Sequence, residues 1–391
     1  MSDAPSRPPP PKHQPPKGAP EHWEIEDLKK HLCTAVILEM HTIPLYLCSA
    51  YAVNLNPGSP DAQAKARDAA SKFIGVVKQE MLHLGLAGNI LASIGGTPTI
   101  YGLESTPEYP CQIFYDPIDL NLTPPNPEAI EGFVRLEAPL PPVRAPRGNI
   151  MPGYDSIGAF YESLKQGIKS VNADYEKQGK TLFDPQYKDR QFTADDGAYP
   201  DGGMIQIQNL TDALNAMELI IEQGEGTNVT TPAAAGQEKS HWQIFVSLVG
   251  VDIPYYDTVK NPKTDDPTFS DNIKKAMRAF DAVYCYLLLS IEKVWTDTTH
   301  RDDLLGNISD IMSGALKPIA QFIVTQKVND AEGSKNAPPP FNFYQFGSIE
   351  SAKEDTIKEL TAAKDAYGSP TQLSRALRTA NGLFDLKDLN T

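Results

Sequence analysis

Two short stretches of this 391-residue chain, "KQEMLHLGLAGN" at 78–89 and "QEKSHWQIF" at 237–245, each carry a glutamate three residues before a histidine. Of the seven histidines only His83 and His241 have that neighbour, at Glu80 and Glu238, and each lies in an otherwise apolar segment. On a helix this spacing puts carboxylate and imidazole on one face, about one turn apart, where both can grip a single ion. One such pair is ordinarily a solvated face or a satisfied core histidine. Two of them suggest a four-helix dimetal site, which takes one Glu from each of two helices and Glu-x-x-His from the other two.

Hairpin geometry supplies the missing carboxylates. In an antiparallel helical pair, residues equidistant from the turn lie level, because both helices rise by about 1.5 Å per residue. The first helix is expected from Trp23 to about Val53, with apolar residues at a three-to-four residue period and a kink at Pro44. The second should be capped at Ser59, with Pro60 at its first position and Gly95-Gly96 closing it. A turn at 59–60 sets Glu80 level with Glu39 in "AVILEMHTIP". For a later hairpin, "MIQIQNLTDALNAMELIIEQ" and "QEKSHWQIFVSLVG", a turn at Thr230 sets Glu238 level with Glu222. Glu218 and Glu225 share that helical face; the glycines at 224 and 226 suggest that the helix frays there, which favours Glu222 and leaves Glu225 as the second choice.

The expected metal-binding and catalytic set is therefore Glu39, Glu80, His83, Glu222, Glu238 and His241, with Glu225 as a further metal candidate. Four carboxylates and two neutral imidazoles suit a pair of Fe ions, with Mn the alternative, and unfilled positions would admit O2 as co-substrate. Without metal, like charges in a desolvated bundle would repel. Tyr46, two turns beyond Glu39, is either a hydrogen-bond partner of a ligand or a core tyrosine, and His41 points about 200° away from Glu39.

Residues 97–150 are rich in Pro and Tyr and read as short strands and loops, followed by a helix from Ser156 to about Val171. Further helices are expected near 269–295, 302–327, 348–366 and 370–380. The fold class is mainly α, with three expected regions: a disordered Pro-rich tail at 1–20, a dimetal bundle at 21–250 with a crossover at 97–203, and a helical extension at 251–391 packed on it. With 40% hydrophobic and 22% charged residues, the chain has the composition of a globular protein. Its net charge of −15 argues against nucleic acid and anionic membrane, and favours a small-molecule substrate. A homo-oligomer stays open. The cysteines lack CxxC spacing, and the N-terminus lacks an apolar signal region, so the expected location is cytoplasmic.

The stretches "HLCTAVILEMHTIPLYLCSAY", "IGVVKQEMLHLGLAGNILASIGGTP", "YPCQIFYDPIDLNL", "SIGAFYESLKQGI", "AMELIIEQGEGT" and "SHWQIFVSLVG" resemble the ferritin-like domain of the iminophenyl-pyruvate dimer synthase family, known from violacein-type bisindole pathways. The resemblance runs from about residue 27 to 250. It implies a ferritin-like four-helix bundle with a long crossover and additional C-terminal helices. For function it implies oxidative coupling of an amino-acid-derived imine, within the broader class of O2-dependent non-haem di-iron oxidases or oxygenases of secondary metabolism. The alternatives are a ferroxidase or iron-handling protein, and a non-catalytic metal-stabilised helical scaffold.

Overall fold

The apolar period that begins near Trp23 folds as helix α1 (Ile25–Ala52), and the Ser59-Pro60 signal starts α2 (Pro60–Ser93). This computed structural model describes residues 18–112, 119–139, 156–197, 203–226 and 239–389; the expected tail at 1–17 falls outside them. Ser59 accepts the Ala62 amide at 3.2 Å, satisfying one of the donors that a helix start leaves over. Gly95, at φ +75°, turns the chain out of α2 while Gly96 N–H returns to the Leu91 carbonyl at 2.9 Å. Pro44 lies inside α1, which continues past it to Ala52. By length and composition α1 could cross a membrane, but its most apolar 18-residue window is 72% buried inside the protein, which makes it a core helix.

Four helices form a closed ring. α1 packs along α2, α2 against α5 (Leu210–Gly224), α5 against α4 (Ile157–Lys177), and α4 back against α1. The stripe that each turns inward is apolar, with Leu28, Leu32, Phe73, Phe160 and Met217 fully buried. Burying each such side chain contributes about 1.5–3 kcal/mol. Residues 204–209, expected to be helical, are instead extended up to the Asn209 cap of α5. Gln191 holds them there, receiving the Ile207 amide at 2.6 Å and donating to its carbonyl at 2.9 Å, as a neighbouring strand would.

The crossover holds two two-residue strands, β1 (Cys111–Gln112) and β2 (Asp119–Leu120), paired antiparallel with Cys111 opposite Leu120. It also holds a helix that strand-and-loop reading overlooked, α3 (Pro127–Leu136), started by Asn126, which accepts the Ala129 amide at 2.8 Å. The expected helix at 237–250 is shortened to α6 (His241–Val246), which packs on α3 and α5. Ser240 is extended at ψ 161°, and its amide and hydroxyl pair reciprocally with Gln243, fixing the helix start at His241.

Beyond Pro254 the chain builds a second helical layer. It comprises α7 (Asp271–Val294), α8 (Arg301–Asp310), α9 (Lys317–Ile323), α10 (Ala352–Ala366) and α11 (Thr371–Gly382). α8 passes into α9 through a π-helical turn at Ile311–Leu316. Pro318 lacks the amide that would bond to the Gly314 carbonyl, so the ladder shifts register there. The two layers share one apolar cluster and interlock at α2. A methyl group on Gly88 would come within 2.1 Å of the Trp295 indole, and Asn89 accepts the Trp295 ring N–H at 3.2 Å. Asn89 also donates to the carbonyls of Phe192, at 2.8 Å, and Ile205, at 3.0 Å.

Candidate metal centre

α1 and α2 run antiparallel from the short turn at Ser59, and this carries Glu39 and Glu80 to the same level in the interior, each 3% exposed. His83 follows Glu80 by one turn and is 2% exposed. Its Nδ1 lies 3.6 Å from Glu39 Oε2 and 3.9 Å from Glu80 Oε2. The first residue of α6, His241, enters from the other side, fully buried, with Nδ1 2.9 Å from Glu80 Oε1 and 3.7 Å from Glu137 Oε2. Glu137 caps the C-terminus of α3 and is 1% exposed.

Two buried trios result, Glu39–Glu80–His83 and Glu80–Glu137–His241, and within each one ligand atom per residue lies within 4.8 Å of the others. Glu80 belongs to both, turning Oε1 toward His241 and Oε2 toward His83. The two imidazole rings stand 5.4 Å apart. A hydroxyl group donates to each of the three carboxylates. Thr42 donates to Glu80 Oε2 at 2.7 Å, Tyr161 of α4 donates to Glu39 Oε1 at 2.5 Å, and Tyr46 donates to Glu137 Oε1. Tyr46 thus fills both of the roles open to it, since its ring also packs on Phe133 and Phe245 at 5.0 and 4.9 Å.

The electrostatics are set by burial and by the mutual pull of carboxylates and imidazoles. Burial pushes the Glu39 carboxyl above its usual pKa, against the opposing pull of His83 and Tyr161. Burial disfavours the Glu80 charge as well, but the His241 and His83 rings and the Thr42 hydroxyl outweigh it and hold its pKa down. Desolvation would lower His241, yet the Glu80 and Glu137 carboxylates raise it to about 10. Although His241 Nδ1 lies 2.9 Å from Glu80, the alignment is not that of a hydrogen bond, and among the described residues this nitrogen is a buried polar atom without one. A buried nitrogen that faces carboxylates out of hydrogen-bond alignment is oriented as a metal ligand would be. Carboxylates and imidazoles are also the donor types that Fe and Mn accept, so the residues fit the expected group.

The structure brings Glu39, Glu80, His83 and His241 together. Glu238 lies outside the described residues. Glu222 is exposed, because α5 turns Ala213, Ala216, Met217 and Ile220 inward and Glu222 lies about 200° around from Ile220. Glu225 is buried but bound elsewhere, accepting the Gly158 amide at 2.6 Å at the start of α4. Glu218 is exposed and pairs with Lys165. Among the described residues the third carboxylate is Glu137, which spacing rules missed because it follows a helix end in a Pro-rich stretch. The Asn126-Pro127-Glu128 start signal of α3 was the clue to that helix, but nothing in the sequence marks Glu137 itself.

Comparison with known proteins agrees with this architecture. The ferritin-like family model matches residues 32–250, more than half the chain. Dichlorochromopyrrolate synthase of Lentzea aerocolonigenes is 23% identical over 305 residues, covering 69% of this chain and 29% of that enzyme. The chain therefore spans less than a third of the length of the curated relative. A crystal structure of a ferritin-like protein from Caulobacter vibrioides superposes with a TM-score of 0.53 at 19% identity, over 74% of this chain and 94% of that one, a likeness of fold. From the extent of the family match, with the helical architecture in accord, this chain belongs to the ferritin-like family.

Proposed function

We propose that the chain is an O2-dependent non-haem dimetal oxidase or oxygenase, with iron as the metal and manganese the alternative, acting on a small amino-acid-derived molecule of secondary metabolism. The observation that carries this reading is Glu80, whose two oxygens each face a different imidazole inside two overlapping buried trios. Glu39 and His83 would hold one ion, Glu137 and His241 the other, and Glu80 would serve both. Bound there, a redox-active pair supplies electrons to dioxygen. The chain's own part is orientation and exclusion of water. Tyr161, Tyr46 and Thr42 fix the carboxylates by donating to them, and burial of all five groups keeps bulk solvent from competing for the ions. The substrate class rests on the resemblance to the iminophenyl-pyruvate dimer synthase family and on similarity to the relative that carries the name dichlorochromopyrrolate synthase.

Elemental analysis of protein purified without added metal, followed by oxygen uptake with aromatic amino acids and their imino-acid derivatives, tests the proposal. Two ions per chain with substrate-dependent oxygen uptake are expected. Many ions per chain would replace the enzyme reading with iron handling, and two ions with no turnover would leave a metal-stabilised scaffold.

A further inference from the structure

Each imidazole has a second nitrogen, and both of these meet a glutamine. His241 Nε2 lies 2.9 Å from Gln79 Oε1, and His83 Nε2 lies 2.9 Å from Gln223 Oε1. An amide oxygen can only accept, so each Nε2 carries a proton, and in a neutral ring the lone pair is then on Nδ1. In both rings Nδ1 is the nitrogen that faces the carboxylates. We propose that Gln79 and Gln223 are positioning residues that set the two histidines to the metal-binding tautomer, Gln79 acting on His241 and Gln223 on His83. The inference rests on the dimetal reading above.

The pairs are crossed between elements. Gln79 directly precedes Glu80 on α2 but serves the ring from α6, so two consecutive residues of α2 approach the two nitrogens of one imidazole. Gln223, on α5, serves the ring from α2. Each amide therefore joins two elements as well as choosing a tautomer. The acceptor type is also informative. Outer partners of metal-bound histidines orient the ring and raise its basicity, and removing one typically weakens metal binding about 10–100-fold. A carboxylate would serve more strongly with cations bound, but before they bind it would add a further negative charge to a desolvated cluster that already holds Glu39, Glu80 and Glu137. A neutral amide orients the ring without that repulsion.

The test uses the full-length chain with cobalt(II) as the probe, followed by its absorption and by chelator competition, in wild type, Gln79→Met, Gln223→Met, Gln79→Glu and Gln223→Glu. Methionine keeps the bulk and removes the acceptor, and glutamate restores an acceptor. Two ions are expected in wild type. Gln79→Met should weaken one of them by about 10–100-fold and leave the other within a few-fold, Gln223→Met should weaken the other, and each glutamate variant should recover binding. Methionine variants that bind both ions like wild type would overturn this inference and leave the dimetal reading intact. Loss of both ions, with no recovery in the glutamate variants, would make the glutamines mere packing and overturn it as well. A wild type that takes up no cobalt would sink both.

Discussion

The two layers of this molecule each bury carboxyl groups, and they deal with them in opposite ways. In the C-terminal layer, Asp281 of α7 is 3% exposed and fully served by the protein, accepting from the Thr264 hydroxyl at 2.5 Å and from the Asn342 amide at 2.8 Å. It ties α7 to the loops on either side. In the bundle, Glu39, Glu80 and Glu137 face one another and two imidazoles, and the hydroxyls of Thr42, Tyr161 and Tyr46 reach only part of that acceptor capacity. A buried acid with neutral donors is structural; several converging with imidazoles on one volume make a candidate cation site. The contrast separates that candidate site from an equally buried group of similar chemistry.

The largest effect should come from Glu80, the group common to both trios. Glu80→Ala is expected to abolish binding of both ions and, with it, the thermal stabilisation that wild type gains on metal loading. That gain amounts to about 2.7 kcal/mol when free metal is 100-fold above Kd. Melting curves with and without chelator measure it, and a variant that still responds to chelator like wild type would erase the distinction between the two regions. His83→Ala and His241→Ala should each lower metal content while leaving helical circular dichroism intact, and His41→Ala, whose backbone carbonyl accepts from Tyr109 and which belongs to neither trio, should keep full occupancy.

Asp281→Ala should act the other way round. Leaving the Thr264 and Asn342 donors unpaired should cost about 2–3 kcal/mol in denaturant titrations, with metal content unchanged. The smaller signature is in pH. Burial holds the Asp281 pKa well above its ordinary value, in spite of its two donors. The folded state therefore retains this proton to higher pH than the unfolded chain does. The stability it contributes is full below the unfolded pKa, about 4, and is lost as pH rises through the folded pKa. In metal-free protein, Asp281→Asn should match wild type at the acid end and become relatively more stable as pH rises. Parallel pH profiles for the two would mean that Asp281 titrates normally.

What could be read from the sequence was whatever local rules govern. Ser59, Pro60 and the Gly95-Gly96 pair delimit α2, and two helices joined by so short a turn must run side by side, so levelling across the turn brings Glu39 to Glu80. The second hairpin resisted the same argument. Ser240 starts its helix at His241, and the long helix that closes the ring beside α1 and α5 is α4, which Ser156 signals. Glu137, Tyr161, Gln79 and Gln223 reach the site through tertiary packing between elements distant in sequence, and no periodicity encodes such a meeting. Glu222 shows the converse, a residue that satisfies the spacing rule on the face that α5 turns to solvent.

The Trp295 indole seated in the notch over Gly88 has a consequence for anyone who would shorten this protein. The family match ends at residue 250, but the plug that fills α2 only five residues past His83 is supplied from beyond that point. A chain cut at the end of the match would lose the wedge behind its histidine-bearing helix and leave Asn89 without the indole it accepts. The segment that sequence comparison delimits is thus buttressed from outside its own bounds, and metal-binding experiments belong on the whole polypeptide.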